Sequence, residues 1–226
     1  MGWLRPLLCM NRVTEERLRR QNGVVAVWQL IGDGCSEATI RHAVAGMRRL
    51  HQGVFVSGHA APTAEQRRIA ATLSSGGTVL SHASRAEHAE FFERRGRRNF
   101  ETVTRFGRGG PEWKGSLLVY RSVRLGPDVV DCDGAPMMSN ARTVLDLLRL
   151  LNAHRGARLV RDALRIGATT NAELRVLIAR HRGTRGVAQL RTLVDEYTPL
   201  PISDTKSDAE AWALVLIQAA RLDPRW

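Results

Sequence analysis

The feature that most constrains the fold of this chain is a tight glycine turn between two short helical patterns, in residues 27–49. The first pattern ends at Gly32 and Gly34, residues that interrupt helices. The second begins at Ser36, which is suited to cap a helix because its hydroxyl accepts from a backbone N–H. The spacing predicts one buried apolar face on each helix, formed by Val27, Leu30, Ile31, Ile40, Val44 and Met47.

A helix precedes this pair, and a hairpin follows it. Residues 14–23 begin with a threonine, carry two glutamates in the first turn and end at a glycine, which is typical of a short capped helix. Residues 50–58 carry a Val-Phe-Val run between two glycines, which predicts a short hairpin. Helix, helix, tight turn, helix and hairpin is the order of a winged helix-turn-helix, whose second paired helix enters the major groove of DNA. The alternative is a small helical bundle that binds no nucleic acid.

Polar side chains lie on the predicted outer face of the second paired helix, which is expected to extend from Ser36 to the basic pair Arg48–Arg49. We expect Arg41 and His42 to contact base edges, and Arg48 with Arg49 to contact phosphates. A denser basic cluster lies at residues 94–98. Its arginines either contact phosphates or belong to a solvated loop, and the sequence leaves both interpretations open. The residues predicted to bind DNA are Ser36, Glu37, Thr39, Arg41, His42, Arg48, Arg49, His51, Gln52, Arg94, Arg95, Arg97 and Arg98.

The net charge of the chain is +12, and most of it lies in the first two thirds of the sequence. A field of that sign attracts phosphate backbones and anionic surfaces. No apolar run approaches the roughly 18 residues that a membrane span requires. Cys9, Cys35 and Cys132 lack paired spacing, which argues against a disulfide framework and a zinc site. We therefore expect a cytoplasmic protein that binds double-stranded DNA and no membrane, metal or cofactor.

The rest of the sequence predicts a mixed segment followed by a helical one. Strands are expected at Asn99–Phe106, Ser116–Ser122 and Asp128–Asp133, and the first two are joined by a glycine-rich connection. Capping boxes are expected at Thr170 with Glu173 and at Ser207 with Glu210. The predicted fold class is α+β. Its predicted domains are a winged helix-turn-helix at 10–60, a small mixed α/β domain at 61–152 and a helical part at 153–226.

Two groups of polar residues in the middle segment invite a catalytic or metal-binding interpretation. Ser81, His82 and Ser84 include a Ser/His pair, but a nucleophile also needs a third group that orients its base. Local turn and cap chemistry is the interpretation that the spacing favours. The second group falls on different faces of one predicted helix, and its members are His82, Glu87, His88 and Glu90. We therefore predict no catalytic residue and no metal ligand.

Several stretches, in their order along the chain, resemble a common bacterial family. They are QNGVVAVWQL, SEATIRHAVAGMRRLHQGVFVSGH, TVLSHASRAE, LLVYRS, DGAPMMSNARTVLDLL and DEYTPLPISDTKSDAEAW. With them the sequence resembles the AbiEi-like antitoxins of type IV toxin–antitoxin systems. More narrowly, it resembles members fused to an endonuclease-like domain related to very-short-patch mismatch-repair nucleases. One stretch departs from the family, because SHASRAEHAEFFERRG is charged where relatives are apolar.

The resemblance implies a DNA-binding winged helix, an antitoxin-like α+β domain and a restriction-endonuclease-like domain. Only the first helix of that last domain, with Glu210, would lie within this sequence, and its other metal-binding acids would lie beyond Trp226. Hydrolysis of a phosphodiester with a divalent metal needs several converging carboxylates. We therefore expect an antitoxin that represses its own operon and is not a working enzyme. Its toxin would be encoded by a neighbouring gene, and a homodimer is possible. The alternative function is a nuclease, or the remnant of one, delivered by the winged helix.

Overall fold

The computed structural model describes residues 12–94, 100–105, 110–132 and 134–220. The chain forms two compact units, which are Met1–Leu80 with Asn99–Met137 and Ser81–Arg98 with Met138–Trp226. Helices and strands are both present, so the protein is mixed α/β. The domain boundaries expected from the sequence stay a prediction.

The first unit opens with helices and a small antiparallel sheet. Its elements within residues 12–56 are α1 (Arg12–Arg20), β1 (Val24–Ala26), α2 (Val27–Gly32), α3 (Glu37–Ala45), β2 (Arg48–His51) and β3 (Val54–Val56). The sheet has the order β1-β3-β2, with Val24 opposite Val56 and Arg49 opposite Phe55. Strand β1 was not predicted, because three apolar residues that run directly into a helix give no alternating pattern.

Helix α3 ends at Ala45, before Gly46, so it is four residues shorter than the predicted helix that ran to Arg49, and Arg48 and Arg49 belong to β2. The burial predicted for its apolar face is confirmed for Ile40, while Val44 and Met47 are half-buried against the same cluster.

The burial predicted for Ile31 is wrong, because its side chain is 61% exposed. Helix α2 is only six residues long, and Leu30 alone fills the core position beside Leu18. The next residue is rotated by about 100° and points away.

An ion pair connects α1 to the turn between α2 and α3. Arg17 donates from Nε to Asp33 Oδ2 at 2.9 Å and from Nη2 to Oδ1 at 2.6 Å, and Thr14 adds its hydroxyl at 3.2 Å. The hydrogen bonds from Arg17 lower the pKa of Asp33 below its ordinary value. Since Asp33 also follows the last residue of α2, this pair holds the tight turn against α1.

The rest of the first unit is built on a six-stranded mixed sheet. Its elements are α4 (Ala64–Leu73), a 3₁₀ turn (Ser74–Gly76), β4 (Val79–Leu80), β5 (Phe100–Thr104), β6 (Glu112–Lys114), β7 (Leu117–Arg121), β8 (Val129–Cys132) and β9 (Ala135–Met138). The strand order is β6-β7-β5-β4-β9-β8, with β5 and β7 parallel. Strand β6 lies where the sequence predicted only a connection, because its three residues are all exposed and show no apolar alternation.

Helix α4 packs against both sheets of the first unit. Its residues Ile69, Ala70 and Leu73 are buried in one cluster with residues of both sheets. The Trp28 indole donates to the carbonyl of Leu73 at 2.9 Å, which fixes α2 to the end of the same helix. The small sheet is therefore attached to the larger sheet through a shared core.

The second unit is helical in the described residues. Its helices are α5 (His82–His88), α6 (Asn140–Leu148), α7 (Ala153–Arg165), α8 (Asn171–Arg180), α9 (Val187–Tyr197) and α10 (Asp208–Ala219). The capping box of Thr170 and Glu173 forms as predicted. The second box differs from its prediction. Ser207 Oγ accepts from the Glu210 N–H, but the Glu210 carboxylate accepts from Lys206 N, one residue earlier, at 2.7 Å.

Helix α10 packs onto the helices that precede it. Leu214 and Val215 are buried, and Trp212 is 40% exposed. The Arg161 guanidinium lies 4.8 Å from the centre of the Trp212 ring, a distance typical of a cation–π contact. Within the ranges that the structure describes, no helix has the length and apolar character needed to cross a membrane.

Candidate nucleic-acid interface

The N-terminus of α3 is held by two of the hydroxyls predicted to contact DNA. Ser36 Oγ accepts from the Thr39 N–H at 3.2 Å and lies 2.8 Å from Thr39 Oγ1. Ser36 is exposed and Thr39 is half-buried. Both therefore stabilise the first turn of the helix, as capping hydroxyls do.

The outer face of α3 carries the two side chains expected to contact bases. Arg41 and His42 are exposed. Arg41 Nη2 lies 2.7 Å from Glu37 Oε1, and the two side chains are 76% and 88% exposed. An exposed pair of this spacing contributes only about 0.3–0.5 kcal/mol. Arg41 can therefore exchange Glu37 for another acceptor at little cost.

The hairpin of β2 and β3 presents two adjacent arginines. Arg48 and Arg49 are exposed, and each donates one hydrogen bond to a backbone carbonyl, Arg48 to His59 at 3.2 Å and Arg49 to His51 at 3.3 Å. The register shifts between Arg49 and His51, so β2 carries an irregularity on the free edge of the small sheet. The remaining N–H groups of both guanidinium groups face no acid among the described residues, and phosphate oxygens are suitable acceptors for them.

His51 and Gln52 lie at the tip of the hairpin. Gln52 is exposed, whereas His51 is half-buried, and this burial lowers the pKa of the imidazole. A lowered pKa keeps the His51 ring neutral at pH 7, so it offers one donor and one acceptor and no charge.

The basic cluster at residues 94–98 is described only in part. Arg94 belongs to the second unit, where its Nη2 lies 3.2 Å from Ser84 Oγ and 3.7 Å from Glu87 Oε2. Its side chain is 15% exposed. Arg95, Arg97 and Arg98 lie outside the described residues. The structure therefore brings the predicted residues from Ser36 to Gln52 together in the first unit and places Arg94 in the other, and DNA contact at this cluster stays a prediction.

A cleft of about 890 Å³ lies beside β2, and the sequence did not predict it. We call it the hairpin cleft, and its polar lining includes Arg49, Gln52, Ser75, Glu112, Lys114 and Ser116. Lys114 is the last residue of β6, and Ser116 lies in the turn between β6 and β7. Because β6 was not recognised as a strand, no pattern in the sequence connected these residues with the hairpin some sixty positions earlier.

The Ser81–His82 pair lies in the interior of the second unit. Ser81 Oγ and His82 Nδ1 are 2.8 Å apart, but Ser81 is fully buried and His82 is 7% exposed. Ser81 precedes α5, yet its hydroxyl bonds the imidazole and caps no backbone N–H. Among the described residues, no three His, Cys, Asp or Glu side chains are grouped to hold a metal ion.

Burial lowers the pKa of His82 to about 4. The guanidinium groups of Arg142, Arg149 and Arg94 lower it further, while Asp146 opposes them. An unfolded chain titrates near pH 6.5, so between about pH 6.5 and 4 it binds a proton that the folded unit does not. The contribution of His82 to the free energy of unfolding is therefore fully present above about pH 6.5, and it is lost as the pH falls through this window.

We expect the free energy of unfolding to fall by roughly 3 kcal/mol between pH 7 and 4 because of His82. His82→Asn removes the titrating ring, and asparagine tolerates the left-handed φ of 49° at this position. Urea denaturation at several pH values measures the effect, and His82→Asn should flatten the profile. The exposed His154→Asn is the control and should follow the wild-type curve. A wild-type profile that stays flat down to pH 4 would contradict this account.

Comparison with known proteins assigns no family to the chain. The sequence matches no protein-family model, and no curated protein matches it significantly. The features that indicate a function are therefore the order of elements in residues 12–56, the exposed face of α3 and the arginines of the hairpin.

Proposed function

We propose that the protein is a DNA-binding regulator and that residues 12–56 act as a winged helix-turn-helix. One observation carries the proposal: α3 follows a tight turn, exposes Arg41 and His42, and leads directly into a hairpin with two exposed arginines. In this arrangement α2 and α3 are the paired helices, and the β2–β3 hairpin is the wing.

The chemistry of these residues suits duplex DNA. An α-helix with its side chains is about 10–12 Å wide and fits the major groove, which is about 12 Å wide. Arg41 is suited to a bidentate contact with guanine O6 and N7, and His42 to a single hydrogen bond with a neighbouring base. The positive N-terminus of α3 and the pair Arg48–Arg49 are suited to phosphates, which position the helix but carry no sequence information.

The biological role follows from the family resemblance. By that resemblance we propose an AbiEi-like antitoxin that represses its own operon, with the toxin encoded by the neighbouring gene. A repressor of this type acts in the cytoplasm on duplex DNA. Dimers of helix-turn-helix proteins bind half-sites about one helical turn apart, so a paired site upstream of the gene would accompany a homodimer.

The test compares Arg41→Ala and His42→Ala with the wild-type protein on two duplexes. One duplex carries the DNA upstream of the gene, and the other is a scrambled sequence of equal length. Loss of a base contact should reduce the preference for the first duplex by about 1–3 kcal/mol, roughly 5- to 150-fold, with little change on the second. Fluorescence anisotropy measures both affinities.

The matched control is Arg191→Ala, which removes an exposed arginine from α9. It should leave both affinities unchanged. Equal loss on the two duplexes for Arg41→Ala would show that α3 is not the helix that recognises bases. No measurable binding of any duplex would overturn the proposed function itself.

If the alternative function were correct and the protein were a nuclease, it would cut DNA in the presence of magnesium. We propose that the protein does not cut DNA, because the Glu210 carboxylate is occupied by the Lys206 N–H and no metal-binding group of acids surrounds it among the described residues. Incubation of plasmid and of mismatched duplex with magnesium should give no cleavage, and Glu210→Ala should behave as wild type. Cleavage that disappears in Glu210→Ala would establish the nuclease.

A further inference from the structure

The hairpin cleft has two cationic walls. Arg49 and Gln52 line it from the β2–β3 hairpin, and Lys114 and Ser116 line it from the end of β6 and the turn that follows. Arg49 is exposed and donates one hydrogen bond to a backbone carbonyl, and Lys114 is exposed. Both cations are therefore open to an external anion.

The one acid of the lining does not cancel this charge. Glu112 is paired with Arg121, whose guanidinium donates to its carboxylate. Hydroxyl donors add to the cations, because Ser75 and Ser116 are exposed in the same lining. Guanidinium, ammonium and hydroxyl groups together are the donor set that phosphate oxygens accept from.

The cleft is continuous with the proposed DNA interface. Arg49 belongs to both, and a second cleft of about 300 Å³ includes Arg48, Arg67 and the shared residues His51 and Ser116. A backbone that contacts Arg48 and Arg49 therefore lies beside the cleft that Lys114 lines. A duplex strand follows such an extended path, whereas a small phosphorylated ligand would occupy only one part of it.

We propose that the hairpin cleft binds the phosphodiester backbone of the duplex just outside the segment contacted by α3, with Lys114 as the outer phosphate contact. This inference rests on the proposed function and extends it, because it gives the β6–β7 turn a place in DNA binding. It predicts a longer binding site than a winged helix alone would need.

The experiment uses the full chain and two duplexes. The short duplex covers only the segment protected by α3 and the wing, and the long one adds about 5 base pairs, half a helical turn, on each side. Lys114→Ala should weaken binding of the long duplex about three- to tenfold at 0.1 M salt and reduce its salt slope by about one. Binding of the short duplex should not change. Lys114→Glu and Ser116→Glu should have larger effects of the same pattern.

Lys206→Ala is the matched control, because Lys206 is the only other lysine of the sequence and is exposed in the second unit. It should bind both duplexes as wild type does, and all variants should unfold at the wild-type temperature. Equal affinities of wild type and Lys114→Glu for the long duplex would overturn the inference and leave the proposed function standing. Absence of duplex binding by the wild type would overturn both.

A further experiment tests whether the hairpin cleft binds the duplex backbone or a small phosphorylated ligand. Inorganic phosphate and adenosine monophosphate are titrated into the DNA-free protein and followed by calorimetry. We expect no saturable binding at millimolar concentration. Saturable binding that disappears in Lys114→Ala would show that the cleft serves a small phosphorylated ligand, and would overturn the assignment to the backbone.

Discussion

Asp146→Ala should lower the free energy of unfolding by about 3–5 kcal/mol, the cost typical of leaving one partner of a buried ion pair alone. Asp146 lies on α6 and is 4% exposed; Arg142 Nε lies 3.0 Å and Arg149 Nη1 3.2 Å from its Oδ1. The Arg142 side chain is only 3% exposed. Removing the carboxylate would therefore take away an acid that contacts a buried guanidinium.

Urea denaturation followed by circular dichroism measures this effect. The control is Asp195→Ala, which breaks the pair with Arg175, where both side chains are at least half exposed. Such surface pairs contribute about 0–1 kcal/mol, so the control should be nearly neutral.

The double replacement Arg142→Met with Asp146→Leu shows whether Asp146→Ala loses stability because a charge is left buried or because packing is lost. Apolar residues of similar volume often replace a buried ion pair without loss of stability, so the double variant should recover most of what Asp146→Ala loses. A loss for Asp146→Ala no greater than that for Asp195→Ala would show that the α6 pair is not a buried ionic contact of the second unit.

The parts of the fold that were predicted correctly are those encoded by local spacing. The face of α3 with Ile40, the N-cap at Ser36 and the box at Thr170 each depend on residues three or four positions apart. The buried pair of Arg142 and Asp146 has the same spacing, but that spacing is equally typical of an exposed pair. Only the packing of α6 against other helices of its unit buries it, and no pattern within α6 encodes that contact.

Distance along the sequence also decides which residues of the candidate interface could be predicted. Ser36 to Gln52 form one continuous segment, so a turn, a helix and a hairpin place them together. Lys114 reaches the hairpin cleft only through the order of strands in the six-stranded sheet. A three-residue edge strand such as β6 gives no periodic signal from which that order could be predicted.

Arg48→Ala combined with Arg49→Ala should weaken binding to every duplex, specific and scrambled, by about 10- to 100-fold at 0.1 M salt. Each arginine that contacts a phosphate releases about 0.9 counterion, so removing two should reduce the slope of log affinity against log salt by about 1.8. Both side chains are exposed and each makes a single hydrogen bond to a carbonyl, so the fold should not be affected.

A salt titration of duplex affinity for this double variant, beside wild type and Arg182→Ala with Arg185→Ala, tests the central claim most directly. The control removes two exposed arginines close together in the sequence of the second unit. We expect a steep wild-type slope, an unchanged slope for the control and a slope lower by about 1.8 for Arg48→Ala with Arg49→Ala. Wild-type affinity that does not depend on salt, or the same slope for all three proteins, would contradict DNA binding through α3 and its hairpin.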